Sequence, residues 1–162
     1  MRTGRSVRKV AVGIAAVLPI IATLMVGIRS SGAEQGTQSD LKDVNSGEKK
    51  GRVILATNAG GRAGQFTAEV TVNVHDVEPS TIYQVWRAID FVPDAVFDPA
   101  APGTGWAEVA AFTASPGGAG EAHFIRGASF PPGFQFDVVL QVRLNDGVTV
   151  VLESDTMTIT VK

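Results

Sequence analysis

The chain has 162 residues, 44% of them apolar and 19% charged, with 18 glycines, 8 prolines and no cysteine. That length suits one ordinary domain with a short appendage, and the apolar share is too high for a chain disordered throughout. The lack of cysteine excludes a disulfide scaffold, a thiolate zinc site, a cysteine nucleophile and a lipid-modified cysteine. The formal charge of −2 hides an asymmetry: residues 1–33 carry five bases and no acid, whereas residues 34–162 carry nine bases against sixteen acids, a net −7. An acidic body has no patch to displace counterions from a phosphate backbone, so no nucleic-acid partner is expected.

Residues 1–33 read as a signal peptide or signal anchor. Arg2, Arg5, Arg8 and Lys9 precede a charge-free apolar run over residues 10–28. A basic head before an apolar stretch is the pattern of an export signal. Ser31 and Ala33 supply small residues ahead of Glu34, which places cleavage near Ala33. No Arg-Arg pair supports the twin-arginine route. Left uncleaved, the 19-residue run is about long enough to span a bilayer as a helix, at ~20 residues for ~30 Å. Under both readings the basic end stays cytoplasmic and the body lies outside the cytoplasm. A membrane partner is then expected only through this segment.

Residues 34–50 hold just two large apolar side chains, Leu41 and Val44, among polar and charged ones. Burial on that scale does not offset ordering entropy, so a flexible polar linker is expected here.

Residues 51–162 read as a run of strands. Val53, Leu55 and Thr57 make a first strand. Phe66, Ala68, Val70, Val72 and Val74 alternate with polar residues, the period of a half-buried strand. Ile82 to Ile89 is apolar on both faces, with Tyr83, Val85 and Ile89 on one side and Ile82, Trp86 and Ala88 on the other, which predicts a central strand. Trp106–Thr113 and Glu121–Arg126 flank a turn-rich connector, Ser115 to Gly120. Phe134, Phe136, Val138, Leu140, Val142 and Leu144 form the longest regular face, with Gln141 predicted on the opposite, wet side. Asp146-Gly147 predicts a tight two-residue hairpin into Val148–Leu152. The apolar parity then changes near Glu153–Asp155, which predicts a bulge before Thr156–Val161. Short turns without crossover helices argue against a parallel sheet. The expected fold is therefore an all-β, antiparallel Greek-key or immunoglobulin-like β-sandwich of about seven to eight strands, preceded by an apolar signal or anchor helix. The likeness is to an architecture, since the Cys…Trp…Cys spacing of true immunoglobulin domains is absent.

Chemistry is sparse. The two histidines, His75 and His123, fall short of the ligand sets of usual catalytic metal sites, although one metal is conceivable with help from Asp76 or Glu78. Asp90, Asp94 and Asp98 recur every four residues in a proline-rich loop, a candidate calcium site without the Asp-x-Asp-x-Asp-Gly order. No Gly-x-Ser-x-Gly elbow occurs, and no helix follows the glycines at 60–64 to make a phosphate cradle. Trp86 and Trp106 suit sugar stacking only if exposed, and packing is the larger expectation. The segment Phe91–Gly105 spends fifteen residues where a turn needs few, which marks a ligand surface or a plain crossover.

The sequence thus points to an exported, non-catalytic binding module without a catalytic residue or cofactor, whose partner is an extracytoplasmic protein or glycan. The alternative is a small metal-binding domain, holding calcium or a His-ligated metal, or a hydrolytic one. Export has a direct check. The mature protein should begin at Glu34 by intact mass, and a full-length mass in the membrane fraction would establish the anchor instead.

Overall fold

Why does an acidic, glycine-rich chain hold together without a disulfide? In a computed structural model that describes residues 35–59, 65–101 and 103–161, alternation supplies the answer. Nine strands fall among those residues, every ladder between them is antiparallel, and all belong to one sheet. They are β1 (Gln35–Asp43), β2 (Lys49–Ala59), β3 (Gln65–Val74), β4 (Ile82–Asp90), β5 (Ala107–Thr113), β6 (Gly120–Ser129), β7 (Gln135–Leu144), β8 (Val150–Ser154) and β9 (Met157–Thr160). The signal or anchor expected over residues 1–33 lies outside the described residues.

Hydrogen-bonded neighbours run β5-β4-β7-β8-β1-β2-β3-β6, and β9 pairs with β7 beyond the end of β8. The sheet curls until its two edge strands, β5 and β6, come side by side, so the fold is nearly a barrel. Two side-chain contacts bridge those edges. Arg126 of β6 donates from Nη2 to the Val109 carbonyl of β5 at 2.9 Å. Phe112 of β5 lies over Gly120 of β6, so closely that a Cβ on that glycine would sit 2.3 Å from the ring.

The inward face is apolar. Val53, Val72, Val85, Val142 and Leu152 are fully buried at one end. At the other end five phenylalanines mesh: Phe130 and Phe134 stack at 5.0 Å, Phe66 meets Phe136 edge-on at 5.6 Å, and Phe91 touches Phe130 at 6.3 Å. Strand β7 is buried on both faces, from Phe136 to Val142.

Four expectations are corrected. The flexible linker expected over residues 34–50 is not seen among its described residues, 35–50. Residues 35–43 form β1, which pairs with β2 along its length and with β8 at Leu41–Asp43. Polar residues are no obstacle there, because ladder bonds satisfy the backbone and Leu41 alone enters the core, fully buried. The hairpin after β7 is longer than two residues. Of the turn residues only Gly147 has positive φ, and the Leu144 amide reaches the Thr149 carbonyl. Asp146 holds this turn by accepting from Val148 N, Thr149 N and Thr149 Oγ1, bonds that keep its carboxyl below the usual pKa. Gln141 is buried rather than wet, bonded to Glu153 and Arg143. The parity change near residue 154 is a full break into β8 and β9. There the Leu140 amide donates to Ser154 Oγ at 3.0 Å in place of a ladder carbonyl.

Residue β1 position 41 tests the first correction. Leu41→Ala should destabilise by ~2–5 kcal/mol, as for other buried leucines. Val44→Ala, at an exposed turn position, should stay within about 0.5 kcal/mol in the same thermal melts. Equal effects would return this segment to a linker.

Candidate ligand cavity

The inward face does not fill the barrel. At the phenylalanine end the strands place small residues inward where neighbours carry Val or Leu: Ala68 on β3, Ala107 at the start of β5, and Ala128 on β6. What remains is a cavity of about 420 Å³, walled by Leu55, Val70, Phe66, Phe136, Val138 and Leu140 among others. Its lining residues Gly103, Gly105, Ala107, Arg126, Gly127 and Ala128 are exposed, which puts the mouth where the β5–β6 seam widens. A volume of this size, apolar with a few polar groups, is that of a small-molecule pocket.

Two cations stand in this wall, and no carboxyl does, among the described lining residues. Arg87 follows Tyr83 and Val85 at the inward parity of β4, and Arg126 follows Ala122 and Phe124 on β6. Arg126 is anchored to carbonyls of Val109 and Ile125. Arg87 Nε is buried with no hydrogen-bond partner, and no salt bridge reaches its guanidinium among the described residues. Burial first, and the nearby Arg126 charge second, push the Arg87 pKa down. Arg143, on the neighbouring strand β7 and on the outer face, is the opposite case. Its guanidinium lies 4.5 Å from the Trp86 ring and 4.9 Å from the Trp106 ring, and it donates to Gln141 Oε1 and the Gly147 carbonyl. Both tryptophans are thereby engaged with Arg143, and Trp106 also meets Phe97.

The acidic loop is a tethered cover. Asp90, buried at the end of β4, accepts from the amides of Val92 and Asp98. Asp137, buried in β7, accepts from the Ala95 amide at 2.8 Å and from Thr158 Oγ1. Ala95 sits at φ 63°, a conformation disfavoured for alanine and held by that bond. Asp94 and Asp98 instead close local turns onto Val96 N and Ala100 N. The three aspartates of the sequence candidate are thus occupied with backbone amides, and only Asp90 is buried. His75 pairs with Asp76 at 2.9 Å beyond β3, and His123 pairs with Glu69 at 2.7 Å across the β3–β6 ladder. No three His, Asp or Glu side chains among the described residues converge as a metal cage would require.

The loop reaches the cavity through its ends, with Phe91, Gly103 and Gly105 on the rim. The sequence reading picked out this loop and missed the two arginines. The signal was present: a charged residue at inward parity on a strand whose other inward positions are apolar.

No protein-family model matches the chain, and no curated protein aligns with it significantly. The functional reading rests on the site itself.

Asp137 carries a test of the cover. Asp137→Ala removes the acceptor of two partly buried bonds that hold the loop and β9, each worth about 0.5–1.5 kcal/mol. The melting temperature should fall and cleavage within residues 91–105 should accelerate in limited proteolysis. Asp94→Ala, at an exposed turn, should change neither measurably.

Proposed function

We propose that the protein is an exported, non-catalytic binding module that takes a small, largely apolar ligand into the cavity. The single observation that carries this is the open, apolar volume of about 420 Å³ at one end of an otherwise filled barrel. Cavities forfeit packing energy, so small residues that keep one open favour a use for it. Export rests on the basic and apolar pattern of residues 1–33, with release after Ala33 or tethering through residues 10–28 as the two outcomes.

For the architecture, we read an immunoglobulin-like Greek key whose two walls have merged. One wall is β5-β4-β7-β8, the other β2-β3-β6, and β1 bridges β8 to β2. Support comes from the strand order, in which β7 returns to lie beside β4 and β6 lies beside β3.

Binding is tested on the full-length protein with Nile red, a neutral dye that brightens in apolar surroundings. Saturable binding is expected. Ala68→Leu adds methylenes toward the cavity and should abolish it, with the melting temperature held or raised. No dye binding by the wild type, or undiminished binding by a folded Ala68→Leu variant, would overturn this reading.

A further inference from the structure

Two buried side-chain polar atoms lack a hydrogen-bond partner among the described residues: Arg87 Nε and Thr104 Oγ1. Both belong to the cavity region. Arg87 lines it, and Thr104 lies between Gly103 and Gly105, which line its rim. Buried polar groups are nearly always satisfied, so an orphan donor in the cavity wall calls for a specific account. A half-buried guanidinium in an apolar wall, without a counter-charge among the described residues, is costlier still.

From this we infer that the cavity binds an amphiphile with one anionic head group, its tail in the apolar interior and its head on Arg87, with Arg126 at the mouth. The inference rests on the cavity reading above and adds the chemistry of the ligand. Three features converge on it. The interior is walled by Leu55, Val70, Phe136, Val138 and Leu140, which offer a tail no polar partner. The cations stand toward the widened seam, the side from which Gly105, Ala107 and Ala128 are open to solvent. No acid competes for them in the lining, although the body as a whole is acidic.

Arg126 is partly committed to the Val109 and Ile125 carbonyls, so it supplies charge more than free donors. The Arg87 side chain makes no hydrogen bond or salt bridge among the described residues, has its Nε buried and unpartnered, and is the one that fixes the head. A planar guanidinium fork fits a carboxylate or a phosphate monoester, with paired N–H donors on two oxygens. Anion binding would also remove the repulsion between the two arginines, which lies behind part of the lowered Arg87 pKa.

The experiment displaces Nile red from the full-length protein with ligands of equal chain length: palmitate, hexadecyl phosphate and hexadecanol. Charge-assisted hydrogen bonds should make at least one anion about tenfold more effective than the alcohol, and the better anion identifies the head. Arg87→Met should abolish that preference with dye affinity kept, and Arg87→Lys should retain part of it. If hexadecanol competes as well as both anions, or Arg87→Met keeps the preference, the inference is overturned and the cavity reading survives. If the wild type binds no dye, both fall together.

Discussion

Burial of β7 on both faces is the constraint from which the rest of the molecule follows. Its inward residues, Phe136, Val138, Leu140 and Val142, face the barrel interior. Its outward residues, Asp137, Val139 and Gln141, are equally buried. A strand buried twice needs cover on its outer side, and two of the three outward residues are polar and need partners there. The loop after β4 supplies the Ala95 amide to Asp137, and β9 supplies the Thr158 hydroxyl. Farther along, Glu153 and Arg143 satisfy Gln141. The long loop is therefore set down on β7 by a partly buried hydrogen bond. Its far end, Gly103 and Gly105, is delivered to the rim of the cavity. Fold and site meet in that one strand.

The incomplete seam between β5 and β6 is the second determinant. A barrel closed by a full ladder would seal its interior. Here closure is made by side chains and graded along the seam. At Gly120, the lack of a Cβ lets Phe112 cross, and that ring also stacks on Tyr83 at 5.5 Å. At Arg126 the bridge is a single long side chain on a carbonyl. Beyond it the lining turns to Gly and Ala, and the interior opens. The same residue thus closes the barrel and marks its mouth.

Most of the fold was legible because alternation is a strong signal. About seven to eight strands were expected in residues 51–162, and the described residues there form β3 to β9 and all but the start of β2. The ninth, β1, was invisible for a physical reason. It sits between β8 and β2 with one buried large side chain, Leu41, and its stability comes from ladder bonds that any sequence can make. Gln141 was misplaced because an outward parity means solvent only where nothing covers that face. The site was legible in part. Phe91–Gly105 stood out by length, although its aspartates act on backbone amides. Arg87 was hidden by its neighbours: on β4 the eye follows Tyr83, Val85 and Ile89, and a cation among them reads as an outward residue. Its inward parity was legible, but its meaning comes from the folded wall, where its Nε is buried without a partner among the described residues.

A final consequence concerns how an acidic protein would select an anion. The body carries a net −7, so its long-range field opposes the approach of a negative ligand. At physiological ionic strength that field decays over about 8 Å, which leaves the last contact to local charges. Under the proposed reading the tail supplies the driving force, because apolar burial at roughly 25 cal/mol per Å² needs no charge complementarity at a distance. The arginines then act at short range, in a wall of low polarity where an ion pair is worth more than in water. Such a site would discriminate against small hydrophilic anions, which face the acidic surface without the compensation of a buried tail. Under that reading, selectivity for an amphiphile over a free anion would be built from the contrast between an acidic exterior and a cationic, otherwise apolar interior, and neither half would give it alone.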